Sequence, residues 1–79
     1  MSRGSKKSDV RERFGMAVKS CREELQLTQE ELAHAAGIHR TYLSDVERGG
    51  RNISLLNIEQ LANALKRSLA ELFRLVDKM

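Results

Sequence analysis

The sequence predicts an all-α fold, a compact bundle of five helices, and three observations carry that expectation. Proline is absent, aromatics are few, and no alternating run rich in Val, Ile or Thr appears. Apolar residues recur instead at i, i+3, i+4 spacing along every long segment. Three boxes of the S/T/D-x-x-E type mark helix starts, at Asp9–Glu12, Thr28–Glu31 and Ser68–Glu71.

The first helix begins at Ser8 or Asp9 and carries Val10, Phe14, Ala17, Val18, Cys21 and Leu25 as one apolar stripe. Thr28 opens a short second helix that buries Leu32, Ala33 and Ala36, and Gly37 stands where it should end in a left-handed turn. A third helix follows almost at once, with Ile38, Leu43 and Val46 inward and Gly49-Gly50 as its stop. Ser54 caps a fourth, with Leu55, Ile58, Leu61, Ala62 and Leu65 inside, and Ser68 a fifth carrying Leu69, Leu72, Phe73 and Val76.

Composition bounds the function. Seventy-nine residues make one domain with a thin stability margin. Cys21 is the single cysteine, so neither an intrachain disulfide nor a thiolate zinc cluster can add to that margin, which leaves dimerisation. Residues 1–8 are expected to form a basic tail of disordered composition, and 9–79 the domain. No apolar run approaches the roughly 20 residues of a membrane span, and no apolar segment follows the basic start as in a signal peptide. The expected location is the bacterial cytoplasm, in association with the nucleoid. Net charge is +3, but Arg3, Lys6 and Lys7 account for all of it, and the remaining 11 bases and 11 acids cancel. A case for an anionic partner must therefore rest on where charge lies. His34 and His39 have no ligand-type companion at metal spacing, and nothing suggests a catalytic constellation or a cofactor.

The informative segment is Thr28 to Asn52. Two short helices meet at Ala36-Gly37-Ile38, a connection of about three or four residues that forces a steep crossing. The second can then enter a DNA major groove. Arg40, Thr41, Ser44, Asp45 and Arg48 form a polar stripe opposite Leu43 and Val46. Short hydroxyls beside arginine suit close approach to base edges, because arginine reaches guanine O6 and N7 with two donors. An ordinary solvated helix face is the plainer alternative.

The run T-Q-E-E-L-A-H-A-A-G-I-H-R-T-Y-L-S-D-V-E-R-G resembles the helix-turn-helix of the phage repressor and Cro family, also called the Xre family. The resemblance covers residues 11 to about 73. The stretch H-R-T-Y-L-S-D-V-E-R-G-G-R-N-I-S-L is similar, more narrowly, to controller proteins of bacterial restriction-modification systems. It implies a phage-repressor-like DNA-binding domain, a homodimer on double-stranded DNA, and transcriptional control of a restriction-modification operon. RNA polymerase becomes a further partner if the protein activates. Carried over by position, Arg40, Thr41, Ser44 and Asp45 would lie at base-reading positions. Gln29, Tyr42, Arg48, Arg51 and Asn52 would contact the backbone, and Arg22 would pair with Glu47 to tie the first helix to the third. Asp45 departs from the small residue common there; its carboxylate either accepts from cytosine N4 or faces Arg48 or Arg51. Lys66-Arg67 replaces a glycine usual after the fourth helix, which implies a strained or altered turn.

The fifth helix appears apolar around most of its girth, with Leu75 and Met79 beside the Leu72–Val76 stripe. Such a helix needs a partner besides the core, and the resemblance implies that this surface makes a two-fold dimer, with Leu72, Leu75, Val76 and Met79 as the expected interface and two recognition helices about 34 Å apart on a palindromic operator. The competing reading is a protein-interaction module, such as an antitoxin, in which that surface holds a different chain.

Overall fold

The computed structural model describes residues 9–79, and the basic tail expected at 1–8 lies outside them. Among the described residues there are five helices and no strand: α1 Val10–Glu24, α2 Gln29–Ala36, α3 Arg40–Glu47, α4 Leu55–Ala64 and α5 Leu69–Lys78. Each helix start follows from side-chain chemistry at one position. Asp9 accepts from the N–H groups of Arg11 and Glu12, and Ser54 from that of Asn57. Thr28 and Ser68 close both arms of their boxes, with Glu31 and Glu71 reaching back to the cap N–H at 2.8 Å. The Ser68 N–H on its carboxylate holds Glu71 below the usual glutamate range.

The helix ends share a single device. After α1, α2, α3 and α4 the chain steps into the left-handed region at Gln26 (φ 59°), Gly37 (72°), Gly49 (80°) and Lys66 (61°). At each step two amides fold back onto the last turn, as when Lys66 donates to the Asn63 carbonyl and Arg67 to that of Ala62, both at 3.0 Å. Glycine supplies two of these turns without steric cost; Gln26 and Lys66 do not. Lys66→Gly is therefore expected to raise the unfolding free energy by about 0.5–1 kcal/mol, the relief of left-handed strain less the added freedom of the unfolded chain. Urea denaturation should show this as a higher midpoint at unchanged slope, and an unaltered midpoint would mean that the turn carries no strain.

The core is continuous through all five helices. α1 packs on α3 and α5, while α2 packs on α3 and α4. Phe14, Val18 and Cys21 from α1 meet Leu32, Leu43, Leu61, Leu65 and Leu72, all 4 % exposed or less. The Phe14 and Phe73 rings lie 5.8 Å apart in a tilted pair that joins α1 to α5. Burial pushes the Cys21 thiol above its ordinary pKa, as suits a small core side chain.

Three parts of the sequence expectation need correction. Val10 and Leu25, at the two ends of the α1 stripe, are 52 % and 39 % exposed, because the core ends one turn short of the helix. Leu55, expected inside, is 75 % exposed: it is the first residue of α4, and the inward face begins at Ile58. Leu72 and Val76, expected at a dimer interface, are 0 % and 2 % exposed within this one chain. Leu75 and Met79 are half-buried against the same core. The most exposed apolar side chains lie elsewhere, at Leu55 and Leu56 (62 % exposed), which with Leu69 and Glu59 line a shallow depression between the starts of α4 and α5.

Candidate nucleic-acid interface

α3 is seated by two features at its C-terminal end. Gly15 lies in α1 directly beneath the last turn of α3. A Cβ there would stand 2.4 Å from the Val46 carbonyl oxygen and 2.6 Å from that of Glu47, so glycine alone permits this approach of one helix to the backbone of the other. Beside it Arg22 donates from Nε to Glu47 Oε2 at 2.7 Å and from Nη2 to Oε1 at 3.0 Å, a two-bond pair with side chains only 12 % and 4 % exposed. The Glu47 carboxylate raises the Arg22 guanidinium above its ordinary pKa, against the opposing effect of burial. Arg22 Nη1 also donates to the Leu27 carbonyl at 2.9 Å, and Gln29 Nε2 donates to Glu47 Oε1 at 2.9 Å. One carboxylate thus ties α1, the α1–α2 turn and the first residue of α2 to α3, forming the ion pair that the resemblance implied.

Leu43, Val46 and the Glu47 carboxylate face inward, and the remaining residues of α3 are exposed or half-buried. Arg40 and Thr41 are exposed in its first turn, and Arg40 makes no ion pair among the described residues. Of the five helices only α3 lacks a side-chain cap, His39 making no such bond, so its first N–H groups are left without a side-chain acceptor. Ser44 and Asp45 are half-buried one turn on, followed by Arg48 at the helix end.

Asp45 sits between two arginines. Arg48 donates from Nη2 to its Oδ1 and from Nη1 to Ser44 Oγ at 2.8 Å, while Arg51 donates from Nε to its Oδ2 at 3.4 Å. The guanidinium of Arg51 lies 5.0 Å from the centre of the Tyr42 ring, whose hydroxyl accepts from Asn57 Nδ2 at 3.3 Å. Of the two alternatives for this acid, the structure therefore brings the carboxylate to both arginines. Thr41, Tyr42, Arg51 and Asn57 line one concave surface beside the turn at Gly37, and Asn52 is exposed in the loop that follows.

Most sites named from sequence thus gather on one face: Arg40, Thr41, Ser44 and Asp45 on α3, Tyr42 at its edge, and Arg48, Arg51 and Asn52 just beyond its end. Gln29 lies at the start of α2, one of its amide hydrogens directed to Glu47; an amide nitrogen has two donors, so this bond leaves one of them unused. Sequence reasoning missed Gly15, whose signal was a small residue in the middle of the α1 stripe, and Asn57, which carried none. Among the described residues no group of three or more His, Cys, Asp or Glu gathers as metal ligands, and no helix is long and apolar enough to cross a membrane.

Comparison with known proteins agrees with this geometry. A helix-turn-helix family model matches residues 18–72. The chain is 40 % identical over 72 residues to the control protein C.MunI of Mycoplasma sp, covering 90 % of this chain and 97 % of that one. Among solved structures, the restriction-modification controller protein C.AhdI of Aeromonas hydrophila superposes with a TM-score of 0.77 at 45 % identity, over 78 % of this chain and 94 % of the other. The controller protein C.Esp1396I, solved as a tetramer in complex with its natural 35 base-pair operator, superposes with a TM-score of 0.83 at 30 % identity, covering 91 % and 95 %.

Proposed function

Because the chain belongs to the helix-turn-helix family that includes the restriction-modification controller proteins, we propose that it is a sequence-specific DNA-binding regulator of such an operon. It acts in the bacterial cytoplasm, on nucleoid DNA, as a dimer on a palindromic operator. The observation that carries the reading is the first turn of α3: Arg40 and Thr41 stand exposed on a helix whose other end is fixed by Gly15 and the Arg22–Glu47 pair. A reader of base edges needs that combination, exposed side chains on a rigid mount. Arg40 takes a guanine through two donors, and Thr41 and Ser44 approach the neighbouring bases. Gln29, Tyr42, Arg48, Arg51 and Asn52 hold phosphate and sugar and fix the register.

The dimer reading rests on the exposed Leu55, Leu56 and Leu69, a contiguous apolar surface of the kind that marks an interface. The C.Esp1396I tetramer on its operator supports self-association in the family. The same patch would also suit an antitoxin-like module with a different protein on it, and oligomeric state in solution separates the two.

Selection of bound sequences from random duplex DNA at roughly physiological salt tests the reading. We expect an enriched palindrome with half-sites about one helical turn apart. Repeated with Arg40→Ala, the selection should lose preference at one base pair in each half-site, and binding to the original winner should weaken by about 1–3 kcal/mol. A wild-type pool without any enriched sequence would remove the proposal.

A further inference from the structure

We propose that Asp45 is an internal counterion of the DNA-facing surface, a positioning residue that competes with phosphates for Arg48 and Arg51 and so sets the strength of sequence-independent binding. The inference rests on the DNA-binding reading of this face and goes beyond it, since it assigns to an acid the control of how firmly that face holds any duplex.

The argument begins with charge. From Ile38 to Asn52 the cations are Arg40, Arg48 and Arg51 and the acids are Asp45 and Glu47. Glu47 is spent inside the protein on Arg22 and Gln29, so Asp45 is the one acid set against the three arginines. Its two oxygens are divided, Oδ1 taking Arg48 and Oδ2 taking Arg51. The two arginines are not held alike. Arg48 is gripped twice, by Asp45 and by Ser44 at 2.8 Å. Arg51 has a single long bond of 3.4 Å and leans on the Tyr42 ring, with 49 % of its side chain exposed.

A phosphate approaching this surface therefore meets two arginines that already share a negative charge, and it must either displace that carboxylate or lie beside it. Arg51 is the one it can draw away, at the loss of one weak hydrogen bond. Either route costs binding to every sequence by a similar amount, because phosphates carry no sequence information. What Arg40 and Thr41 gain from base edges is not taxed in the same way, as neither touches Asp45. The remainder of the described chain has eight basic and nine acidic side chains, so it supplies no positive charge to offset the effect.

The test is a titration of a random-sequence duplex across a salt series with the whole chain and with Asp45→Asn, which keeps the shape and removes the charge. Removing one unit of opposing charge should tighten binding about tenfold near 0.1 M salt and steepen the slope of log K against log salt by about one per protomer. Asp45→Glu, which keeps the charge, should stay close to the original slope, and in an Arg51→Ala background the Asn substitution should matter less. Thermal melting followed by circular dichroism checks that each variant is folded. An unchanged slope with Asp45→Asn overturns the counterion role while leaving DNA binding intact. So does lost preference at one selected base pair with random duplex binding unaltered, since Asp45 would then be reading that base. Failure of the unsubstituted chain to bind any duplex takes away the DNA-binding reading and this inference with it.

Discussion

Replacing Glu47 with alanine is expected to destabilise the domain by about 3–5 kcal/mol, the cost of leaving one member of a buried ion pair without its partner. The carboxylate accepts three hydrogen bonds, two from Arg22 and one from Gln29, and its side chain is 4 % exposed. Its removal strands a guanidinium that is only 12 % exposed and retains just the Leu27 carbonyl. A domain of 79 residues has an unfolding free energy on the order of 4–12 kcal/mol, so the loss is a large part of the whole. Urea denaturation at neutral pH measures it directly. The pair and its cost are separable, because replacing both members by apolar residues of similar volume, Arg22→Met with Glu47→Leu, should recover most of the stability. If Glu47→Ala instead costs under about 1 kcal/mol, the pair behaves as a surface bridge and does not anchor α3.

That anchor also explains which parts of the molecule were legible in the sequence. Capping and apolar spacing are local properties, so Thr28, Ser54 and Ser68 announced their helices, and Leu32, Leu43 and Leu61 their core positions. The polar stripe on α3 was readable for the same reason, since a helix of known phase fixes which residues share its face. Contacts between helices were not. Gly15 became informative only once α3 was seen to cross α1 there, and Asn57 only once α4 brought it to the Tyr42 hydroxyl. Spacing puts Leu55 inside because it gives a phase but not the point at which a helix leaves the core. Leu72 and Val76 are buried by their own chain, and spacing cannot say whether an apolar stripe is covered by its own chain or by another. The Arg22–Glu47 pair, 25 residues apart, was reached through family resemblance and not through any local signal. Asp45 shows the limit most clearly: position put it on the polar stripe of α3 and left cytosine, Arg48 or Arg51 open as its partner, and only the folded chain shows its carboxylate divided between the two arginines.

The apolar patch proposed above as the dimer interface leads to the largest effect expected on function. Leu55→Glu should yield a monomer that keeps its fold and loses operator affinity by three or more orders of magnitude. The substitution leaves the core untouched, because Leu55 is 75 % exposed. It also places an acid at the first residue of α4, where the positive end of the helix dipole favours one by about 0.3–1 kcal/mol. In a two-fold dimer the same residue would face its counterpart's neighbourhood, so one substitution buries two carboxylates in an apolar interface. A dimer on a palindrome binds with a Kd on the order of 10⁻⁸–10⁻¹¹ M. A monomer reading one half-site keeps roughly half of that free energy, which returns it to the range of non-specific binding at about 10⁻⁴–10⁻⁶ M. Sedimentation velocity, circular dichroism and operator titration on the same preparation distinguish the possibilities. Monomers with native helicity and operator affinity in the non-specific range place the interface at Leu55, Leu56 and Leu69. A variant that still sediments as a dimer moves the interface away from that patch. An unsubstituted chain that is already monomeric, yet binds its operator as well as Leu55→Glu does, leaves the patch to a different protein and favours the interaction-module reading.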